Sequence, residues 1–220
     1  MARNAGLTRE LIVQSGLQCC RDVGLSRVTL QRVAEPLGVT PEAIAYYLPR
    51  ATLHAEIADL AVSEIEYPAI ESGTYDIRLR QLAYSWQETM QRYPGVQGFV
   101  ASYPRMLPQV RRIVDSGLND LVASGFDETE AKLLYGLYHA FFIGWNMLRS
   151  APERAAAPGG AEGDRRQAGS MSGRYSWTRA EPLFDFGIES LLTIMRRAQE
   201  GDWLPSDLMG VPAPDSLPAV

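Results

Sequence analysis

Residues 29–50 read TLQRVAEPLGVTPEAIAYYLPR. Two helix starts are written into this stretch. A threonine hydroxyl can accept from an orphan amide of a first helical turn, so Thr29 suits the cap of one short helix and Thr40 the cap of the next. Pro41 follows Thr40 at the first helical position, where its missing N–H costs nothing and its fixed φ is already helical. Gly38 stands between the two, where helices commonly end in a left-handed residue. Leu30, Val33, Ala34 and Leu37 recur at helical spacing, as do Val39, Ala43, Ile44 and Tyr47. The pattern predicts helices over about 29–37 and 41–47, with Pro36 removing one late hydrogen bond from the first. Two short helices across a glycine turn form a helix-turn-helix, whose second helix can enter a DNA major groove.

Outward from this stretch the chain continues to read as helix. A first helix over about 8–23 offers Leu11, Ile12, Ser15, Gly16, Cys19, Cys20 and Val23 on a small-to-apolar face, and Gly24 stops it. A fourth begins near Ala51 with Leu53, Ile57, Leu60, Ala61 and Ile65 inward, and Pro68 ends or bends it. Further helices are expected over about 75–92, with Leu79, Leu82, Ala83, Trp86 and Met90 inward, and over 96–102. Others are expected from Pro104 to about 124, over 128–149 behind an Asp127 cap, and over 181–200. The segment 151–174, rich in Ala, Gly, Pro and charge, reads as a mobile surface loop. No strand and no internal repeat is apparent.

Composition bounds the classes. The 220 residues suffice for one small and one medium domain, and 46% hydrophobic content supports a packed core. No run of eighteen apolar residues occurs, and the amino terminus lacks the apolar core of a signal peptide, so the expected location is the cytoplasm with no membrane partner. Cys19 and Cys20 are adjacent, which suits neither a disulfide between them nor metal-ligand spacing; they read as small core residues. The net charge is −5, but residues 1–50 carry six arginines against four acids while the remainder carries fifteen bases against twenty-two. A mildly basic head on an acidic body suits a protein that touches DNA with its head alone.

The chain resembles the TetR family of transcriptional regulators. The resemblance starts at Leu7–Ile12, passes through Asp22-Val23-Gly24-Leu25 and Val28-Thr29-Leu30, and ends at Leu53. It covers about a quarter of the chain. It implies an all-α fold: an N-terminal three-helix helix-turn-helix domain (1–50) joined by a long fourth helix to a helical ligand-binding and dimerisation domain (51–205), followed by an irregular tail (206–220). Where relatives carry an aromatic residue, a histidine and a lysine around the end of the third helix, this chain has Ala45, Tyr47 and Ala51, with Arg50 one step before the last.

Candidate DNA contacts are Thr40, Pro41, Glu42, Ala45, Tyr46 and Tyr47 on the recognition helix, Thr29 and Gln31 before it, and Arg27, Arg32 and Arg50 as cations for phosphate. Candidate ligand-lining residues are Trp86, Met90, Phe99, Tyr103, Met106, His139, Phe142, Trp145, Asn146 and Trp177: apolar walls with a few polar groups. His139 and Asn146 stand out because a polar group on so apolar a helix needs a partner. The apolar helices at 128–149 and 181–200 are expected to form an isologous dimer interface, with Gly136, Gly144 and Gly187 permitting close approach. Only two histidines occur, and no zinc spacing, phosphate loop or nucleophile elbow. The expectation is a homodimeric repressor, not an enzyme and without a cofactor, released from a palindromic operator in double-stranded DNA by a small molecule. The alternative is an all-helical dimeric small-molecule-binding protein without specific DNA binding.

Overall fold

The computed structural model of the chain describes residues 6–150 and 181–201. The expected arm at Arg3, the 151–174 loop, Trp177 and the 206–220 tail lie outside the described residues, as do the side chains of Arg50 and Asn146. Every regular element described is a helix, and none is long and apolar enough to cross a membrane.

The head forms from local signals. Helix α1 (Arg9–Val23) starts where the Thr8 hydroxyl accepts from the Leu11 amide, and Gly24 at φ 82° ends it. A 3₁₀ turn (Leu25–Arg27) leads to α2 (Leu30–Leu37), where the Thr29 hydroxyl accepts from the Arg32 amide. Gly38 takes the left-handed conformation at φ 63°. Its N–H reaches Glu35 O and that of Val39 reaches Ala34 O, the paired bonds that satisfy a helix's last carbonyls. Pro36 still removes the N–H that would reach Arg32 O one turn back, while the carbonyls of Ala34 and Glu35 are met from beyond the helix. Helix α3 (Pro41–Tyr47) begins with Thr40 accepting from the Ala43 amide.

Packing selects the buried face. Ile12, Val13, Gly16 and Cys20 of α1 meet Val33 and Ala34 of α2, Ile44 of α3, and Leu53 and Ile57 of α4 (Arg50–Ser63) in one core. Gly16 lies so close to Ile57 that a Cβ there would clash. The Ser15 hydroxyl donates to Val33 O, tying α1 to α2. Leu11, expected inward, is exposed, and Val13 takes the buried place because α2 and α4 together cover an arc turned one position further round α1. Burial pushes the Cys20 thiol up to about 12, consistent with a core residue rather than a reactive one.

The body comprises α5 (Tyr75–Arg92), α6 (Val96–Ser102), α7 (Pro108–Ala123), α8 (Glu128–Ser150) and α9 (Glu181–Gln199). All five inward residues expected on α5 are buried. Helix α4 has fourteen residues and ends before Glu64, so it is shorter than expected and stops ahead of Pro68. Helix α7 begins at Pro108 rather than Pro104. A helix running through 108 would set the proline ring against a carbonyl one turn back, whereas at the first position the ring costs nothing. Asp127 caps α8 by accepting from the Thr129 and Glu130 amides, while Glu130 accepts from the Asp127 amide in return. Helix α9 runs antiparallel to α8: Phe184 near its start meets Phe142 and Trp145, and the Gln199 side chain at its end donates to Ser124 O. Gly117 admits the Tyr135 ring between α7 and α8, and Gly187 admits Phe141 between α8 and α9.

A polar knot fixes the link between α4 and α5. Arg78 pairs with Asp120 of α7, both buried, and donates to Ile70 O and Gly73 O of the link. Tyr67 donates to the same Asp120 carboxylate at 2.7 Å.

Candidate functional site

Helix α3 rests on the head through Ile44, with Leu48 buried just after it and Pro41 and Ala43 half-buried, and turns its other side chains outward. Tyr46 is 85% exposed, and its ring meets Tyr47 edge to face at 5.4 Å. Thr40, Glu42 and Ala45 are exposed and Pro41 is half-buried. The Thr40 oxygen accepts from the Ala43 amide, and its hydroxyl hydrogen faces the Glu42 carboxylate. The Glu42 carboxylate is held below its ordinary range by its own backbone N–H and by Thr40. It therefore stays ionised, disfavouring phosphate but suiting a cytosine amine.

The supporting residues divide. Arg27, Thr29 and Gln31 are exposed. Arg32 is exposed too, but it borders the groove between α1 and α2 beside Asp22, Glu35 and Cys19, away from the α3 residues. Two head arginines are used internally. Arg9 pairs with Glu56 of α4, and Arg21 donates to the Tyr93 hydroxyl while lying over its ring. Tyr93 in turn donates to Glu64. The Leu25 amide donates to Pro94 O at 2.8 Å, and His54 bonds Val28 O at 3.0 Å while meeting Phe99 of α6 edge-on. These contacts seat the head on the turn between α5 and α6. Composition assigned none of these side chains that work, because their partners lie far away in sequence.

Within the body, a small cavity of about 20 Å³ lies between Leu82 and Trp86 of α5, Ile113 and Val114 of α7, and Tyr135, Tyr138, His139 and Phe142 of α8. That is room for roughly one water molecule. Trp86 meets Phe142 edge-on at 5.7 Å, and Tyr138 stacks on Phe142 at 6.1 Å. Tyr138 donates to Leu79 O. Burial lowers the His139 imidazole below its ordinary value, so it is neutral at neutral pH. The Trp86 N–H donates to Gln97 Oε1 of α6 at 2.7 Å, while Gln97 Nε2 and Trp145 Nε1 are buried without a partner among the described residues. An unmet buried donor costs about 1–3 kcal/mol.

Of the expected lining residues, Trp86, His139 and Phe142 come together here. Met90 is buried but does not line the cavity; Phe99 and Tyr103 stack on each other at 5.0 Å beside His54; Met106 is exposed; Trp145 packs on Phe184. The reason is helix phase. Met90 lies a turn beyond Trp86, and α6 turns Phe99 toward α4 rather than toward α8. Tyr135 and Tyr138, which the sequence reading passed over, carried a signal in their spacing of seven and four positions from Phe142. Gln97 carried none.

No protein-family model and no curated protein matches the sequence. Solved structures do match. A possible TetR family transcriptional regulator from Streptomyces coelicolor A3(2) aligns at TM-score 0.68 and 21% identity, over 86% of this chain and 99% of that one. The Streptomyces coelicolor TetR family protein ActR in complex with actinorhodin aligns at TM-score 0.67 and 15% identity, over 88% and 97%. A TetR variant from Acinetobacter baumannii AYE in complex with minocycline aligns at 0.66 and 17%, over 88% and 98%. At these identities the likeness is one of fold, and it extends through the body well beyond the quarter of the chain that carries the sequence resemblance: the protein has the TetR-family fold.

Proposed function

We propose that the protein is a homodimeric, ligand-responsive DNA-binding transcriptional regulator, a repressor released from a palindromic operator by a small molecule. Residues 1–50 form the DNA-binding domain and 51–205 the ligand-binding and dimerisation domain. The observation that carries the reading is α3: a capped helix anchored by Ile44, with Tyr46 85% exposed and touching only the neighbouring Tyr47 ring among the ring contacts of the described residues. Solved neighbours of the same fold hold minocycline and actinorhodin, which supports a ligand role for the body.

The second copy of the chain covers a stripe that this copy leaves open. Leu133 is 50% and Leu137 48% exposed on α8, and on the same side no described residue crowds Gly136 or Gly144. Phe186 of α9 is 71% exposed. Gly187, by contrast, is used inside the chain against Phe141. Two-fold pairing of such a stripe sets two α3 helices at a fixed separation, and a palindrome requires about 34 Å.

The effector acts through α7. Ile113 and Val114 of α7 line the cavity. The same helix is bonded to α4 by the Gln109 amide to Asp59 at 2.9 Å, and to the segment just after α4 by Arg112 to Ile65 O at 2.8 Å. Helix α4 packs on α1 and is paired to it through Arg9 and Glu56. A ligand that displaces α7 therefore drags the lever under the head and alters the separation of the recognition helices.

Selection from a random duplex pool at near-physiological salt tests the reading. A recovered palindrome is the expected result, and Tyr46→Ala then weakens binding to it about ten-fold. Recovery of non-specific background alone would favour the second reading, a dimeric small-molecule-binding protein without operator recognition. One observation favours that alternative: α3 itself carries no cation, and Arg32 lies in the α1–α2 groove.

A further inference from the structure

Helix α3 carries one charged side chain, Glu42, and its sign is the one that phosphate repels. Every duplex presents phosphates, so a carboxylate brought into a groove lowers affinity for DNA in general. On the reading above, α3 enters the major groove. Glu42 then needs a donor on a base edge to offset what its charge costs.

The geometry suits such a contact. Glu42 is exposed early in α3, on the face shared by Ala45 and Tyr46, three and four positions on. Residues early in a recognition helix are those that meet base edges. The carboxylate is also oriented. It is bonded to its own backbone N–H and to the Thr40 hydroxyl, whose oxygen in turn accepts from the Ala43 amide. Those bonds keep it ionised, an acceptor with no proton to give. Ala45, one turn on, adds only a methyl group, so the longer Glu42 side chain reaches further on that part of the face.

An obligate acceptor discriminates among the four bases. Guanine and thymine present acceptors to the major groove and repel it. Adenine presents its N6 amine beside the N7 acceptor, and a carboxylate cannot meet the first without crowding the second. Cytosine presents its N4 amine beside a C–H, with no second acceptor of its own. We infer that Glu42 is the base-selecting residue of α3 and that it selects cytosine, its carboxylate accepting from the N4 amine at one position of each half-site. Its charge weakens the hold on every other duplex and is offset only there. A helix without a cation thereby gains selectivity rather than strength.

Selection from a random duplex pool, run on the full chain as wild type and as Glu42→Gln, tests this. A glutamine amide offers an acceptor and a donor together, the pair that adenine N6 and N7 match. The wild type should recover a palindrome with one column held to cytosine in each half-site. Glu42→Gln should move that column to adenine on the same strand and leave the other columns alone. Replacing that C·G pair by T·A should weaken the wild type about ten-fold and Glu42→Ala less than about two-fold. Both variants should hold a scrambled duplex tighter than the wild type does, because a repulsive charge is gone. Helical circular dichroism separates loss of contact from loss of fold, and Glu42→Ala serves where Glu42→Gln does not fold. A palindrome without a cytosine column, or one unchanged in Glu42→Gln, would overturn the inference and leave the regulator standing. Uniform weakening of Glu42→Ala on all duplexes would reduce Glu42 to a stabiliser of the helix start and overturn it equally. Non-specific background alone from the wild type would remove the operator reading and the base contact together.

Discussion

Helix α5 buries Arg78 and Trp86 eight positions apart, and the fold treats their polar groups in opposite ways. Around Arg78 every need is met. Asp120 pairs with it, Tyr67 donates to that carboxylate, and the guanidinium also reaches Ile70 O and Gly73 O. Desolvation and the Asp120 contact push the Tyr67 phenol well above its ordinary range, so it remains a donor at any working pH. Around Trp86 the account is left open, with an amide on Gln97 that finds no acceptor. A closed polar cluster of this kind holds three segments in one arrangement. An open one leaves a buried donor unmet. The difference separates a part of the body that is fully bonded from a part that is not.

Breaking the closed cluster should have the largest effect. Asp120→Ala leaves the Arg78 charge buried with only carbonyls to face, and should cost about 3–5 kcal/mol in urea unfolding. A loss below about 1 kcal/mol would mean that water reaches the guanidinium and that the cluster is not a frame. The double variant Arg78→Leu, Asp120→Leu removes both charges together and should cost less than Asp120→Ala alone, since no unpaired charge remains. If the double variant is the worse of the two, the carbonyls of Ile70 and Gly73 matter more than the ion pair.

The open site should give smaller effects. His139 is held neutral by burial, so its folded pKa lies below its unfolded one. The stability this contributes is fully present above the ordinary imidazole value and is lost as pH falls through the folded value. Thermal melts from about pH 7.5 to about pH 5 should show the wild type losing ground to His139→Phe, which does not titrate. Parallel curves would place solvent at the ring. Smallest of all, Gln97→Leu removes an orphan amide but takes the acceptor from Trp86. The two changes offset, so stability should move by less than about 1 kcal/mol. A larger loss would assign Gln97 to the frame.

The helix bounds of the head were readable because their causes are local. Thr8, Thr29 and Thr40 cap helices by bonding amides three positions on, and Gly38 ends one by a backbone conformation that needs no distant partner. Pro41 and Pro108 both mark first helical positions, but Pro104 offered the same signal for α7 and did not start it. A proline permits a start; only the packed body decides which of two prolines is used. The candidate DNA face was legible for a related reason: once Ile44 is inward, helical geometry turns Glu42, Ala45 and Tyr46 out.

The sequence by itself determined the order of helices, the caps and the all-helical class, since each depends on chemistry within a few residues. Tertiary structure alone decided the rest. Leu11 and Val13 are both apolar, and the coverage by α2 and α4 chose Val13. Gly136, Gly144 and Gly187 are alike in sequence, and of the three only Gly187 meets a ring among the described residues. Arg78 and Asp120 lie forty-two positions apart, as Trp86 and Gln97 lie eleven, and nothing along the chain announces that the first pair closes while the second stays open. Helical periodicity tells which side of a helix is apolar. It does not tell which neighbour arrives there, because that depends on the crossing of helices whose contacts are distant in sequence.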